Sequence, residues 1–322
     1  MELRILISAI LFPVIIGMGL SSCTKEVKID IPDYEQKVVI DGRIETGQPP
    51  LVLISKTQDI YSETSLESFL NGFQSGAIVT VSNGTDTVVL DEICSDNLPA
   101  GTEPIAAELF GIPEEELANY HLCAYTTFNT AIWGEVGKTY SLKVEFEGKV
   151  YTSSTKIEQP TALDSVYWKQ DPDPDPGYGF SWARLSDPPG QYDAYMWEVK
   201  RINIVNGQPR DANFTKTYSP VFDDEFINGQ TFDFGYENPM SWDDETIEDK
   251  NKGYYRQGDS VVIKLSKLSP NVYDYLEKKY LQLQTNGNPF ASPTFIPTNI
   301  TGGAIGVWAG FSPSFDTLYC VE

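Results

Sequence analysis

Thr139-Tyr140-Ser141-Leu142-Lys143-Val144-Glu145-Phe146, then Glu147-Gly148, then Lys149-Val150-Tyr151-Thr152-Ser153-Ser154-Thr155 is the stretch that decides the fold class. Both runs alternate in character, and a period of two is what a strand shows when one face meets a core and the other meets water. The Glu-Gly pair supplies a tight turn, so the stretch predicts a β-hairpin. Working toward the N-terminus, Ala77-Ile78-Val79-Thr80-Val81 runs to Asn83-Gly84 and is followed by Thr87-Val88-Val89-Leu90, a second hairpin signal. Lys37 to Ile44 and Leu51 to Ile54 flank the turn Gly47-Gln48-Pro49-Pro50. Toward the C-terminus, strands are expected from Ser165 to Trp168, Gly179 to Leu185, Tyr192 to Val205, Gly229 to Phe234 and Ser260 to Leu265, with a glycine-rich last strand near Gly302 to Phe311. Short strands between Gly and Pro turns predict a mainly β protein of antiparallel sandwich type.

Two helical regions interrupt the pattern. Between Cys94 and Cys123, Thr102 with Pro104 opens one short helix, and Pro113 with Glu114, Glu115 and Glu116 opens another. Proline is tolerated in a first helical turn, and acids there meet the positive end of the helix dipole. Further on, Ser269 as cap and Pro270 at the first position start a longer helix with Val272, Leu276, Tyr280 and Leu283 on one face, ending by Gly287. Gln159-Pro160-Thr161-Ala162 reads as a boundary. The expected organisation is a signal peptide (1–22), a tether (23–36), an N-terminal β-sandwich-like domain (37–160) with a helical insertion (94–123), and a C-terminal β-rich domain (161–322) carrying the one long helix.

The N-terminus predicts export. Arg4 precedes an apolar run from Ile5 to Leu20, too short and too broken by Ser8, Pro13, Gly17 and Gly19 for a membrane span. Leu20-Ser21-Ser22-Cys23 follows and looks like a bacterial lipobox, in which the Cys23 thiol takes the lipid after cleavage before it. Several acyl chains make such an anchor lasting, since each buried methylene contributes ~0.8 kcal/mol. Lys plus Arg number 23 and Asp plus Glu 46, a formal charge of −23, and no basic cluster stands out, which excludes a nucleic-acid partner.

With Cys23 committed to lipid, Cys94 and Cys123 bracket the insertion and are the natural disulfide pair, leaving Cys320 over. Three free thiols are the alternative, because sequence alone does not give pairing. His121 is the one histidine and stands beside Cys123; a Cys-His nucleophile pair would need a group to orient the imidazole, and the sequence identifies none. Ser153 and Lys156 have the spacing of serine-lysine acylases, but on a strand they face opposite sides. Asp171, Asp173 and Asp175 alternate as in calcium loops, although Pro176 occupies the glycine position and Trp182 the place of the bidentate glutamate. No cofactor is expected, calcium at these three aspartates being the one alternative. Among the aromatics, Trp168 and Trp197 have strand spacing and read as core, whereas Trp182 and Trp242 read as loop platforms.

Several stretches together resemble a family of Bacteroidota outer-membrane lipoproteins built on a domain of unknown function and often encoded beside TonB-dependent receptors. They include Val38 to Arg43 with Gln48-Pro49-Pro50, Gly137-Lys138-Thr139-Tyr140, Leu163-Asp164-Ser165-Val166, Gly258-Asp259-Ser260-Val261 and Asn299-Ile300-Thr301-Gly302-Gly303-Ala304-Ile305-Gly306. The resemblance implies an outer-membrane lipoprotein working with a TonB-dependent receptor in nutrient capture or uptake, and it brings no catalytic residues. Thr24-Lys25-Glu26 is similar to the charged export signals of that phylum but lacks their dense acidic run, so the face of the membrane, periplasmic or cell-surface, stays open with the surface slightly favoured. A free-standing glycan- or peptide-binding lipoprotein is the second reading, and a carboxylate-pair hydrolase the third. A binding protein, not an enzyme, is expected. Its ligand- or partner-facing surface is placed on the loops Asp171 to Tyr178, Tyr236 to Tyr255 and Asn286 to Pro297, with Trp182, Trp242, Tyr178 and Phe290 as contacts.

Overall fold

The expected hairpin forms in a computed structural model that describes residues 35–58, 65–285 and 294–321. Its strands pair from Thr139↔Lys156 to Phe146↔Lys149. Glu147 and Gly148 both take positive φ, 49° and 74°, the two-residue turn whose twist matches that of its strands. Tyr140, Leu142, Val144 and Phe146 all point inward.

In chain order the strands are β1 (Val38–Glu45), β2 (Leu51–Lys56), β3 (Ile78–Ser82), β4 (Thr87–Val89), β5 (Asp91–Cys94), β6 (Cys123–Thr126), β7 (Thr139–Phe146), β8 (Lys149–Lys156) and β9 (Ser165–Gln170). They continue with β10 (Tyr178–Ser186), β11 (Ala194–Arg201), β12 (Ile204–Val205), β13 (Gln208–Pro209), β14 (Thr215–Asp223), β15 (Thr231–Tyr236), β16 (Tyr255–Arg256), β17 (Ser260–Leu268) and β18 (Ile305–Tyr319). The helices are α1 (Leu66–Leu70), α2 (Glu103–Phe110) and α3 (Pro270–Thr285).

One eight-stranded sheet, ordered β14-β11-β17-β18-β1-β2-β6-β5, runs through the molecule. A four-stranded sheet β4-β3-β7-β8 covers one end of it, and the sheet formed by β15, β10, β16 and β9 covers the other. The result is two sandwich-like layers sharing a sheet, each with its own core. Ile40, Ile44, Val52, Val79, Leu142 and Trp308 pack in the first. Trp168, Tyr195, Trp197, Ile263, Leu265 and Cys320 pack in the second, so both tryptophans of strand spacing are core.

The last strand joins the two. Through Ile305 to Phe311, β18 lies parallel to β1, and through Ser312 to Tyr319 it lies antiparallel to β17. Trp308 is delivered this way into the first core, where its Nε1 donates to Tyr140 O at 2.9 Å. Gly42 of β1 makes room for the indole, since a Cβ there would sit 2.6 Å from Trp308 Cε3. Ahead of β18 the chain laces the first sandwich shut. Asn299 acts as a surrogate strand partner to Trp308, with Nδ2 to Trp308 O and Trp308 N to Oδ1 both at 2.8 Å. Ser153 Oγ donates to Asn299 O, and Thr155 Oγ1 accepts from Gly310 N. The acylase-like spacing of Ser153 and Lys156 is therefore strand chemistry, with Ser153 turned in and Lys156 out. From Gln36 to Glu322 the chain is one compact unit, and strands from both sides of Gln159–Ala162 share the long sheet.

Helix α3 covers the other face of the long sheet through Val272, Tyr273, Tyr275 and Leu276, against Met196, Leu268, Val307 and Ala309. The expected apolar stripe holds at Val272 and Leu276 but not at Leu283, which is 60% exposed. At its C-terminal end α3 meets the edge strand, where Gln284 Nε2 donates to Tyr218 O of β14 at 2.7 Å. The insertion is helical as expected: α2 ends on Gly111 in the left-handed region, and a 3-10 turn spans Glu114–Asn119. Its Phe110, Ile112, Leu117 and Leu122 pack over Leu51 and Leu53.

Strand β14 is absent from the sequence reading. Pro220 lies within it and argues against a strand, yet β14 is an edge strand, and its register with β11 shifts between Met196 and Glu198. Proline, which has no N–H to donate, is tolerated at an edge or bulge.

Candidate functional site

Strands β14 and β15 are both edge strands, one from each layer of the second sandwich. A cleft of about 800 Å³ opens beside them, lined by β14 from Thr215 to Ser219, by Gly235 to Glu237 at the end of β15, and by Pro239, Trp242 and Asp243. The loop that carries Trp242 is fixed at its base. Asn238 N donates to Gly253 O at 2.8 Å, and the buried Ser241 hydroxyl donates to Asn238 O and accepts from Gly253 N, both at 2.7 Å. On this base Trp242 is 52% exposed, far more than the core tryptophans.

Glu237 holds the arrangement together. Its Oε2 accepts from Trp242 Nε1 at 3.1 Å, and its Oε1 accepts from Tyr218 N at 3.2 Å. One carboxylate thus sets the indole plane and ties the loop to β14. Tyr218 itself is exposed, and its carbonyl is already taken by Gln284. With both backbone groups of Tyr218 satisfied by side chains, this edge is blunted against addition of another strand at that point. What the cleft offers is an aromatic face beside carboxylate and hydroxyl groups, the combination that binds a ligand with an apolar face and a polar rim.

The other expected contacts lie elsewhere. Trp182 is not in a loop but on β10, opposite Tyr167, with the rings stacked at 6.4 Å and 11°. Tyr178 starts β10 and closes a turn: Asp171 N donates to Tyr178 O, and Tyr178 N to Asp175 O. Phe290, like Cys23, falls outside the described residues. Asp175 is occupied by Lys250 at 2.9 Å and Asn251 at 2.9 Å, which hold its carboxyl below the ordinary carboxylate range, the Asn251 hydrogen bond first. Asp171 Oδ1 accepts from Asp173 N in a local turn. Among the described residues the three aspartates form no cluster of mutually close ligand atoms. The Asp171 to Tyr178 loop props the Lys250–Asn251 turn and does not line the cleft.

A second cluster lies in the insertion. Cys94 and Cys123 face each other across β5 and β6 and are joined as a disulfide. His121 Nε2 lies 3.4 Å from Cys123 Sγ, and Nδ1 lies 2.8 Å from Asp96 Oδ2. Asp96 is the orienting group that the sequence does not identify; 25 residues separate it from His121, and only the β5–β6 pairing brings them together. The closed disulfide takes both sulfurs out of any metal-binding role. Cys320 is buried in the second core, and burial pushes its thiol up to about 12, with Asp259 adding to the shift.

The fold is mainly β, several sheets with an exposed aromatic loop beside an open cleft at one edge. The chain belongs to the DUF4249 family, a domain of unknown function, whose profile matches residues 24–314. No curated protein matches the sequence. Among solved structures, a DUF4785 family protein from Legionella pneumophila is similar at 11% identity and a TM-score of 0.21, over 72% of this chain and 51% of that one. The present chain thus spans about half the length of that protein. Among the described residues no helix is long and apolar enough to cross a membrane.

Proposed function

We propose that this protein is a lipid-anchored outer-membrane accessory protein that acts with a TonB-dependent receptor in nutrient capture or uptake, and that it binds through the Trp242 cleft. The observation that carries the binding surface is the exposed indole of Trp242, held in place by Glu237 at the mouth of an open cleft. An exposed aromatic with a fixed ring plane binds with little loss of side-chain entropy, which is how a few such residues come to dominate an interface. The anchor rests on Leu20-Ser21-Ser22-Cys23, and the receptor on the resemblance of the chain to lipoproteins encoded beside such receptors.

The test is recovery of the lipidated protein from detergent-solubilised outer membranes, wild type beside Trp242→Ala. A TonB-dependent receptor is expected with the wild type and depleted at least about tenfold in the variant, the scale of a lost hot-spot aromatic. Wild type that brings down no receptor ends this reading, and an undiminished complex in the variant removes the cleft from it. The second reading, a free-standing glycan- or peptide-binding lipoprotein, is favoured by the placing of the Trp242 face beside Glu237 and Asp243. Quenching of tryptophan fluorescence by oligosaccharides or peptides in wild type, lost in Trp242→Ala, with no receptor recovered, selects it.

A further inference from the structure

We propose that the Cys94–Cys123 disulfide is a thiol-exchange site: an external thiolate attacks Cys94 Sγ, His121 gives a proton to the departing Cys123 sulfur, and Asp96 positions His121. This inference is independent of the cleft and of the receptor.

Three observations converge on it. The two sulfurs are unequally reachable, Cys123 being 1% exposed and Cys94 half-buried, so an incoming thiolate meets Cys94 first. The imidazole stands against the other sulfur, with Nε2 at 3.4 Å from Cys123 Sγ, where negative charge develops as the S–S bond breaks. Asp96, an acceptor-only carboxylate, takes the Nδ1–H at 2.8 Å and turns Nε2 toward the sulfur; in the imidazolium both ring nitrogens carry a proton, so Nε2–H can be given up while Nδ1–H stays on Asp96. A disulfide that only closes a loop needs neither group. In this cluster the attacked sulfur, the leaving sulfur, the proton donor and its orienting carboxylate each have a distinct place.

The co-reactant is a low-molecular-weight thiol. Its thiolate gives an electron pair to Cys94 Sγ, forming a mixed disulfide, and the pair of the broken S–S bond leaves on Cys123 Sγ, which takes the Nε2 proton of the His121 imidazolium; the neutral ring keeps Nδ1–H on Asp96, and the proton shed by the thiol on ionising restores the imidazolium. A second thiolate attacks the sulfur of the bound thiol and releases Cys94. In sum, two thiols become one external disulfide and the protein gains two cysteine thiols, a two-electron reduction. Exchange is governed by access to the attacked sulfur and by the ease with which the leaving thiolate departs, which His121 assists. Opening the bond removes the covalent strap between two cysteines 29 residues apart at the base of the α2 insertion.

The experiment uses the full chain and glutathione. With limiting glutathione and rapid trapping by N-ethylmaleimide, peptide mass mapping is expected to find glutathione on Cys94 and maleimide on Cys123. His121→Gln is expected to slow cleavage about tenfold or more, with an unchanged circular dichroism spectrum and melting temperature in the oxidised state. Asp96→Asn should slow it less, and Asp96→Glu should restore much of the rate, which a merely structural Asp96 would not do. Glutathione found on Cys123, or equal rates in wild type and folded His121→Gln, overturns the proposal.

Discussion

Lys267 is 5% exposed and lies in the second half of the molecule with its Nζ 2.8 Å from Asp193 Oδ2, itself 2% exposed. Asp187 and Asp224 are buried as well, and Tyr195 OH donates to Asp187 Oδ1 at 2.8 Å. Lys267 also donates to Thr161 Oγ1 and lies over the Tyr195 ring. At 2.8 Å and an effective dielectric of about 20, the attraction between lysine and aspartate is about 6 kcal/mol. Desolvation of both ions offsets much of that, but a charge stripped of its partner keeps its own desolvation cost. Lys267→Met is therefore expected to destabilise by about 3–5 kcal/mol. At about 2 °C per kcal/mol for a chain of this size, the melting temperature should fall by roughly 6–10 °C. The double variant Lys267→Met/Asp193→Asn removes both charges and should recover a large part of that loss, because replacing a buried pair is far cheaper than breaking one. Urea titration and calorimetry on the three proteins are the assays. A loss below about 1 kcal/mol in the single variant, or a double variant as unstable as the single, would show that the ion pair does not organise this core as reasoned.

Four further outcomes are expected. Asp224 is held above the ordinary carboxylate range by burial, with the charges of Asp187 and Asp193 adding to the shift, so its contribution is present in full below its unfolded value and is lost as the pH rises through the raised folded one. Asp224→Asn, which keeps an acceptor for Asn228, should melt above wild type near pH ~7 by a margin that shrinks toward pH ~4; a margin independent of pH contradicts this. Gly42→Ala pushes a methyl against the Trp308 ring and should cost about 1–3 kcal/mol by urea unfolding, whereas no loss would mean that the indole can move aside. Alkylation without reductant should modify none of Cys94, Cys123 and Cys320 in the native protein and Cys320 alone after denaturation; two or three modified thiols would contradict the disulfide. Cys23→Ala should leave a precursor that incorporates no palmitate, and normal acylation in that variant would remove the anchor.

The structure separates what is written locally from what is written at a distance. The hairpin of β7 and β8 was legible because alternation and a Glu-Gly turn lie within one run of chain and need no distant partner. The start of α3 at Pro270, the helical insertion after Thr102 and the buried fate of Trp168 and Trp197 rest on equally local patterns. Tertiary structure decided the rest. Leu283 fits the helical period yet stays exposed, because what packs against each turn of α3 is set by the tertiary structure and not by the period. The parallel pairing of β1 with β18 joins residues more than 200 positions apart, and Pro220 is compatible with β14 only because that strand ends up at an edge. The candidate sites follow the same division. Trp242 could be singled out as a large aromatic in an acidic stretch, yet its fixed plane comes from Glu237 and the cleft from β14 beside it. Cys94, Cys123 and His121 could be seen as neighbours in an insertion, whereas Asp96 became part of the cluster through strand pairing alone. Side-chain periodicity and turn chemistry are properties of a few consecutive residues and survive in the sequence; hydrogen bonds between separate segments are set by the register of strands, which the chain fixes only when it folds.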